Sequence, residues 1–254
     1  MNRYFPAAAL AERDVIGAYA GLRPLVAPAD ASSPSDTSRE EEIFESAAGM
    51  LSLGGGKLTT YRRVAERVVD RVVERLRGRD PERRFGPCRT GSVPLPGAEL
   101  HVPERGGFGG YAKRMRASAP TGVDDSLMTQ LLHRFGTRAS EIVALTAADP
   151  DAARRIVPEL AYRRAEVTYT VAAEMAATLD DMLRRRVPLA FRVRDGGVAV
   201  SDDVANLMRA VLGWTAEETA AAIAAYRDGV ERERALRVGE RTVRDGDVER
   251  RLRA

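Results

Sequence analysis

The chain has 254 residues, 44% of them hydrophobic and 30% charged, enough to bury a sizeable core in one large domain or two ordinary ones. Forty basic residues against 37 acidic ones leave a net charge of +3, and the arginines are interleaved with acids and lack an aromatic platform, which argues against a nucleic-acid binder. A single cysteine, Cys88, excludes a disulfide framework; no run approaches the roughly 20 apolar residues of a membrane span, and the first residues lack a signal-peptide core, so a cytoplasmic protein is expected.

In chain order, residues 1–12 read as the tail of a helix stopped at Pro6. Asp14–Val26, "DVIGAYAGLRPLV", mixes β-branched and aromatic residues and ends beyond a proline, predicting a strand that runs into a loop. Residues 27–42 are dense in Pro, Ser and Asp and read as a surface loop. "EEIFES" and "GMLSLGG" flank Ala47-Ala48-Gly49 and predict a β-hairpin. From Lys57 the hydrophobic period changes from strand-like to helical: Leu58, Tyr61, Ala65, Val68, Val72 and Leu76 form one stripe, with Gly78 placed to end the helix. Residues 78–110, rich in Gly, Pro and Arg, read as a connector.

Beyond residue 122 the pattern is helical throughout. "DDSLMTQLLHRF" and "RASEIVALTAA" predict short helices separated by Gly136; residues 163–179 predict a longer one, followed by "DDMLRRR". "SDDVANLMRAVLG" carries a serine N-cap, two acids in its first turn and a glycine stop. Thr215 with Glu218 forms a capping box at the head of "TAEETAAAIAAYRDGV". The charged stretch 228–254 is expected to fray. The fold class is therefore α+β: strands and one long helix over 1–80, a linker over 81–122, and a mostly α-helical domain over 123–254 with a charged tail.

The stretch "LSLGGGKLTTYRR" (51–63) draws most attention. A strand, then glycines, then a helix start brings unpaired N–H groups, with the positive end of the helix dipole, toward an anion or an electron-rich ring. Lys57 adds a full charge, and Thr59 and Thr60 add hydroxyls. An ordinary turn with a solvated lysine fits the pattern equally well, because the spacing is not that of a phosphate-binding Walker loop. Arg23 in "GLRPL" precedes a stiffening proline and offers a fixed guanidinium for a carboxylate or phosphate; Arg39 in "DTSREEE" has the same chemistry but more acids to pair with. "GGFGGYA" (106–112) formally contains GxGxxA, but lacks a preceding strand and a following helical pattern, and is read as a loop. His101 and His133 are the only histidines, and with no His/Cys cluster no metal site is expected. Cys88 reads as an isolated structural cysteine. Arg184-Arg185-Arg186 reads as a solvated face, and Glu166, Glu174, Asp180, Asp181 and these arginines are expected to form ion pairs within and between helices.

Taken together, "DVIGAYAGLRPL", the Ser/Asp loop ending in "SRE", "LSLGGGKLTTYRRVAE", "PCRTGSVPLPGAE" and "YRRAEVTYTVAAEMAATLDDMLRRR" resemble the FAD-dependent glycerol-3-phosphate dehydrogenases, over residues 1 to about 230. The resemblance implies oxidation of sn-glycerol 3-phosphate to dihydroxyacetone phosphate on FAD, with electrons passed to quinone; an oxygen-reducing glycerophosphate oxidase is a close variant. It implies that Gly55, Gly56, Lys57, Leu58 and Thr59 face the flavin, that Lys57 lies between flavin and substrate, and that Arg23, with Arg39 a weaker candidate, binds the substrate phosphate. Residues 1–80 would then be the end of an incomplete FAD-binding and substrate region, followed by the family's helical C-terminal domain. The family's long N-terminal region, with its GxGxxG strand–turn–helix, has no counterpart here. The expectation is a C-terminal part that needs an N-terminal FAD-binding half as partner and is colourless and inactive alone. The contrasting reading is a non-catalytic helical module that acts through packing. Peripheral membrane contact and a homodimer are left open.

Overall fold

A computed structural model describes residues 2–11, 14–21, 26, 40–100 and 106–239. The chain divides into two compact units, Tyr19–Glu99 and, discontinuously, Met1–Ala18 with Leu100–Ala254.

In the smaller unit, β1 (Glu42–Glu45) pairs antiparallel with β2 (Leu51–Gly54), placing Ile43 opposite Leu53. The hairpin closes because Gly49 takes φ +86°, letting its N–H reach Ser46 O at 2.8 Å while Ser46 N–H donates to Met50 O at 2.9 Å. A 3-10 turn (Leu58–Thr60) leads into α1 (Tyr61–Arg79). The packed face of α1 centres on Val64, its one fully buried residue, rather than on the predicted stripe: Leu58, Tyr61 and Val72 stay exposed. Arginines fix this rotation. Arg67, Arg71 and Arg75, four apart and so on one side of a helix, meet Glu41 and Glu45, four apart on extended backbone; Arg67 pairs with Glu41 and Arg75 with both Glu45 and Gly49 O.

The larger unit is built from helices around two apolar clusters. The first collects Leu127, Met128, Leu131, Leu132 and Phe135 of α3 (Asp125–Phe135) with Ile142 of α4 (Ala139–Ala148), under Ala112 of α2 (Gly107–Ala117). The second collects Met182, Leu183, Val187 and Leu189 with Val204 and Met208 of α6 (Ser201–Leu212) and Tyr226 and Val230 of α7 (Ala216–Gly239). Helix α5 (Arg164–Glu174) serves both, giving Ala165 and Tyr169 to one and Val167 and Val171 to the other. Local chemistry sets the ends: Asp124 accepts the Leu127 N–H at 2.7 Å, Thr215 and Glu218 cap α7 reciprocally, and Gly213 takes φ +72° after α6.

The α+β class stands, with several corrections to local readings. Pro6 opens a 3-10 turn (Pro6–Ala8) instead of stopping a helix, as its fixed φ and missing N–H suit a first position. Residues 15–21 form no strand. Residues 106–112, read as a loop, largely belong to the helix Gly107–Ala117, because Tyr111, Ala112 and Met115 find the first cluster to pack on. Helix α5 stops at Glu174 instead of residue 179: Met175 turns left-handed at φ +57°, its N–H and that of Ala176 both return to Thr170 O, and Ala176 and Leu179 are then buried. Asp181–Arg186 forms a π-helical turn, and Arg184, expected on a solvated face, is largely enclosed between Asp180, Glu233 and the rings of Phe191 and Tyr226. Ser201 lies inside α6, and its hydroxyl bonds Val198 O and Arg227. The segment beyond 228 continues α7 to Gly239, anchored by buried Val230 and by Glu233. The expected pairing of the acids with the arginines holds for Glu166–Arg134, Glu174–Arg186 and Asp180 and Asp181 with Arg185.

Tyr226 supplies a test of the second cluster. Its hydroxyl donates to Gly196 O at 2.6 Å, and burial, opposed by Arg184, pushes the phenol from 10.0 up to about 12. A folded-state value raised above the unfolded one contributes stability that is whole below pH 10 and lost as pH climbs toward 12. Alkaline melts should therefore show a flatter decline over that range for Tyr226→Phe than for the parent chain; identical slopes would contradict the assignment.

Candidate functional site

The turn that leads from β2 toward α1 is built by two consecutive left-handed glycines. Gly55 has φ +71° and Gly56 φ +88°, which together fold the chain sharply out of β2. At Gly55 glycine is compulsory for a second reason: a Cβ there would stand 2.4 Å from the carbonyl oxygen of Glu40, with Val26 Cγ2 at 3.4 Å. Lys57 then returns to extended backbone (φ −112°, ψ 141°), and its carbonyl accepts both the N–H and the hydroxyl of Thr60 at 3.0 Å.

The consequence is a run of amides with no acceptor. Among the described residues, the N–H groups of Gly56, Lys57, Leu58 and Thr59 donate to nothing, and these four residues are exposed. No acid lies in the first turn of the helix. Glu41, whose Cβ lies beside Gly56, is held below the usual carboxylate range by its own backbone N–H, then by Arg67 and Lys57, despite some loss of hydration. Lys57 thus has a negative neighbour that is already committed to Arg67. This is an outward-facing donor set able to meet hydrogen-bond acceptors or developing negative charge.

Of the residues singled out from sequence, Gly55, Gly56, Lys57, Leu58 and Thr59 are brought together in this one turn. Arg23 and Arg39 lie outside the described residues, as does His101. His133 is exposed on α3. Cys88 is exposed and unpaired, with its Sγ 3.2 Å from Thr90 Oγ1, on the wall of a groove of about 600 Å3 between α1 and residues 85–90. That groove lies along the helix, away from its N-terminal turn. Among the described residues, no group of His, Cys, Asp or Glu could hold a metal ion, and no helix is long and apolar enough to cross a membrane. Sequence reasoning missed Glu41 and Arg67, which brace the turn; the matched four-residue spacing of Glu41/Glu45 and Arg67/Arg71/Arg75 was the available signal.

A family model describing the C-terminal domain of alpha-glycerophosphate oxidase matches residues 88–219, more than half of the chain. The chain belongs to that family. It is 33% identical over 235 residues to a glycerol-3-phosphate dehydrogenase of Synechocystis, taking in 91% of this chain and 40% of that protein. It is 34% identical over 196 residues to the aerobic glycerol-3-phosphate dehydrogenase of Bacillus subtilis, 75% of this chain and 34% of that one. The crystal structure of the glycerol-3-phosphate dehydrogenase from Bacillus halodurans, complexed with FAD, superposes with a TM-score of 0.56 at 26% identity, over 75% of this chain and 37% of that one. The chain thus spans 40% or less of the length of these relatives.

The glycine turn is testable on its own. Gly55→Ala forces a left-handed alanine, costing about 1–2 kcal/mol, onto a carbonyl it cannot clear. Amide exchange should show protection of β1 and β2 falling by roughly tenfold at that cost, with α6 unchanged; equal protection would refute the close approach.

Proposed function

We propose that this chain is the C-terminal portion of an FAD-dependent glycerol-3-phosphate dehydrogenase, oxidising sn-glycerol 3-phosphate to dihydroxyacetone phosphate with electrons passed to quinone. The observation that carries the reading is the row of unpaired amides at residues 56–59 beside Lys57, in a chain whose relatives bear that name. Those donors fit the acceptor-bearing edge of a flavin ring. FAD, when bound, supplies the acceptor for the hydride leaving C2 of the substrate. This chain's contribution is electrostatic: the amides of Gly56, Lys57, Leu58 and Thr59 lower the energy of negative charge opposite them, in a geometry fixed before reaction by Gly55 and Gly56. Lys57 provides a cation at the boundary between cofactor and substrate. Arg23, which precedes Pro24 in the sequence, supplies the fork that takes the substrate phosphate, with Arg39 in support.

The adenosine-binding strand–turn–helix is to come from an N-terminal half, and the site is complete only with it. The alternative reading is the related oxygen-reducing glycerophosphate oxidase, and the name alpha-glycerophosphate oxidase stands in the description of the matching family model. The lone unpaired cysteine suits a reducing, cytoplasmic setting, with peripheral contact on the inner face of the membrane as a further part of the proposal.

Co-expression with an N-terminal half, followed by dye reduction with glycerol 3-phosphate, tests the reading. Arg23→Ala should raise KM by tenfold or more with a small change in kcat, the signature of lost uniform binding. Lys57→Ala should slow flavin reduction itself, by about 10²–10³-fold if it acts as one electrostatic donor. Indifference to both substitutions would remove the proposal, and electron transfer to oxygen in place of quinone would select the oxidase.

A further inference from the structure

A second cationic feature lies in the helical unit, at the head of α5. Arg163 is only 8% exposed, yet among the described residues its guanidinium makes no hydrogen bond, ion pair or ring contact, and its Nε is fully enclosed. Its neighbour Arg164 also has an enclosed Nε without a well-formed hydrogen bond, but its guanidinium is ion-paired, 2.9 Å from the Asp151 carboxylate and with Asp203. A buried charge without a counterion is costly to keep. Burial lowers the Arg163 guanidinium from its ordinary value and Arg155 lowers it further, while the carboxylates of Asp124 and Glu166 oppose the shift.

Backbone geometry explains the proximity of Arg155. Arg155 and Arg163 are partners in an isolated antiparallel bridge, which sets two like charges directly opposite on the same face, an unfavourable arrangement. Arg155 is exposed, and one of its terminal nitrogens donates to Leu160 O at 2.9 Å and Pro158 O at 3.4 Å; its Nε and other terminal nitrogen have no partner among the described residues. The surrounding acids do not compensate the pair. Glu166 is saturated by the Arg163 backbone N–H, Gln130 and Arg134, and Asp124 is occupied in capping α3. The two guanidiniums therefore face two carboxylates that are already engaged, Glu166 being shared with Arg134, which leaves forked donors unused.

We propose that Arg155 and Arg163 form a binding site for a small tetrahedral oxyanion, a phosphate or the phosphate of a phosphomonoester, distinct from the turn at Lys57. Forked guanidinium donors suit such oxygens, the bridge holds the two residues opposite each other, and the bound anion would supply the direct acceptor that the Arg163 guanidinium lacks. The site does not depend on the proposed dehydrogenase activity.

Isothermal titration of the 254-residue chain with inorganic phosphate, against chloride at matched ionic strength, tests it. Saturable binding should be weakened at least tenfold by Arg155→Gln, an exposed position where folding is safe, and by Arg163→Gln, while Lys57→Ala leaves it unchanged. Displacement of the phosphate by glycerol 3-phosphate in the Lys57→Ala background would support a phosphomonoester as occupant; binding without displacement would support the free ion. Absence of saturable binding, equal affinity in Arg155→Gln, loss only in Lys57→Ala, or a crystal structure grown in phosphate with water alone between Arg163 and Asp124 would each overturn the proposal.

Discussion

The helical unit depends on one buried carboxylate. Glu166 is fully enclosed, and burial pushes its carboxyl above the ordinary range while Arg134 chiefly opposes the shift. One of its oxygens takes the backbone N–H of Arg163 at 2.7 Å, which starts α5; the other takes Arg134, which ties α5 to α3 and reaches on to the carbonyl of Arg186 in the π-helical turn. The same guanidinium lies over the rings of Phe135 and Tyr162, at 4.9 and 4.6 Å. Removing one partner of such a pair strands the other charge in the interior, at a cost of about 3–5 kcal/mol. Because α5 belongs to both apolar clusters, this contact fixes how the two are joined.

The smaller unit is organised in the opposite way, by charges at its surface. Two strands alone are marginal in water, and Phe44, Met50 and Leu53 remain exposed. What orients α1 against the hairpin is the row of arginines meeting Glu41 and Glu45, contacts worth about 0–1 kcal/mol each when exposed. Their value is positional. They set the angle at which the chain leaves β2, crosses the left-handed glycines and enters the helix, and so decide where the bare amides face.

The parts legible in the sequence were those with local causes. Thr215 with Glu218, Gly213, and the spacing of apolar residues in α3 each contain their own explanation, as do Ala47-Ala48-Gly49 and the glycines before Lys57. What escaped was decided by distant contacts. Nothing within "GGFGGYA" states that Tyr111 and Ala112 will find a core, and nothing near Met175 announces that α5 must stop there so that Ala176 and Leu179 can turn inward. Arg184 looked like one of three solvated arginines because its enclosing partners, Glu233 and Tyr226, lie some forty to fifty residues on. At the glycine turn the residue types were evident, while the bracing of the turn by Glu41 and Arg67 required strand and helix to be seen side by side.

The discontinuity of the larger unit bears on how the protein can be dissected. Residues 1–18 fold with the helices, and Gly17 lies so close to Phe191 that a Cβ on it would come within 2.9 Å of the Phe191 Cα. The family match begins at residue 88, yet the compact body it describes includes a segment some seventy residues upstream. Cutting near residue 100 to express the helical portion would therefore discard the segment that meets Phe191, and a piece meant to keep that contact must retain residues up to 18 as well.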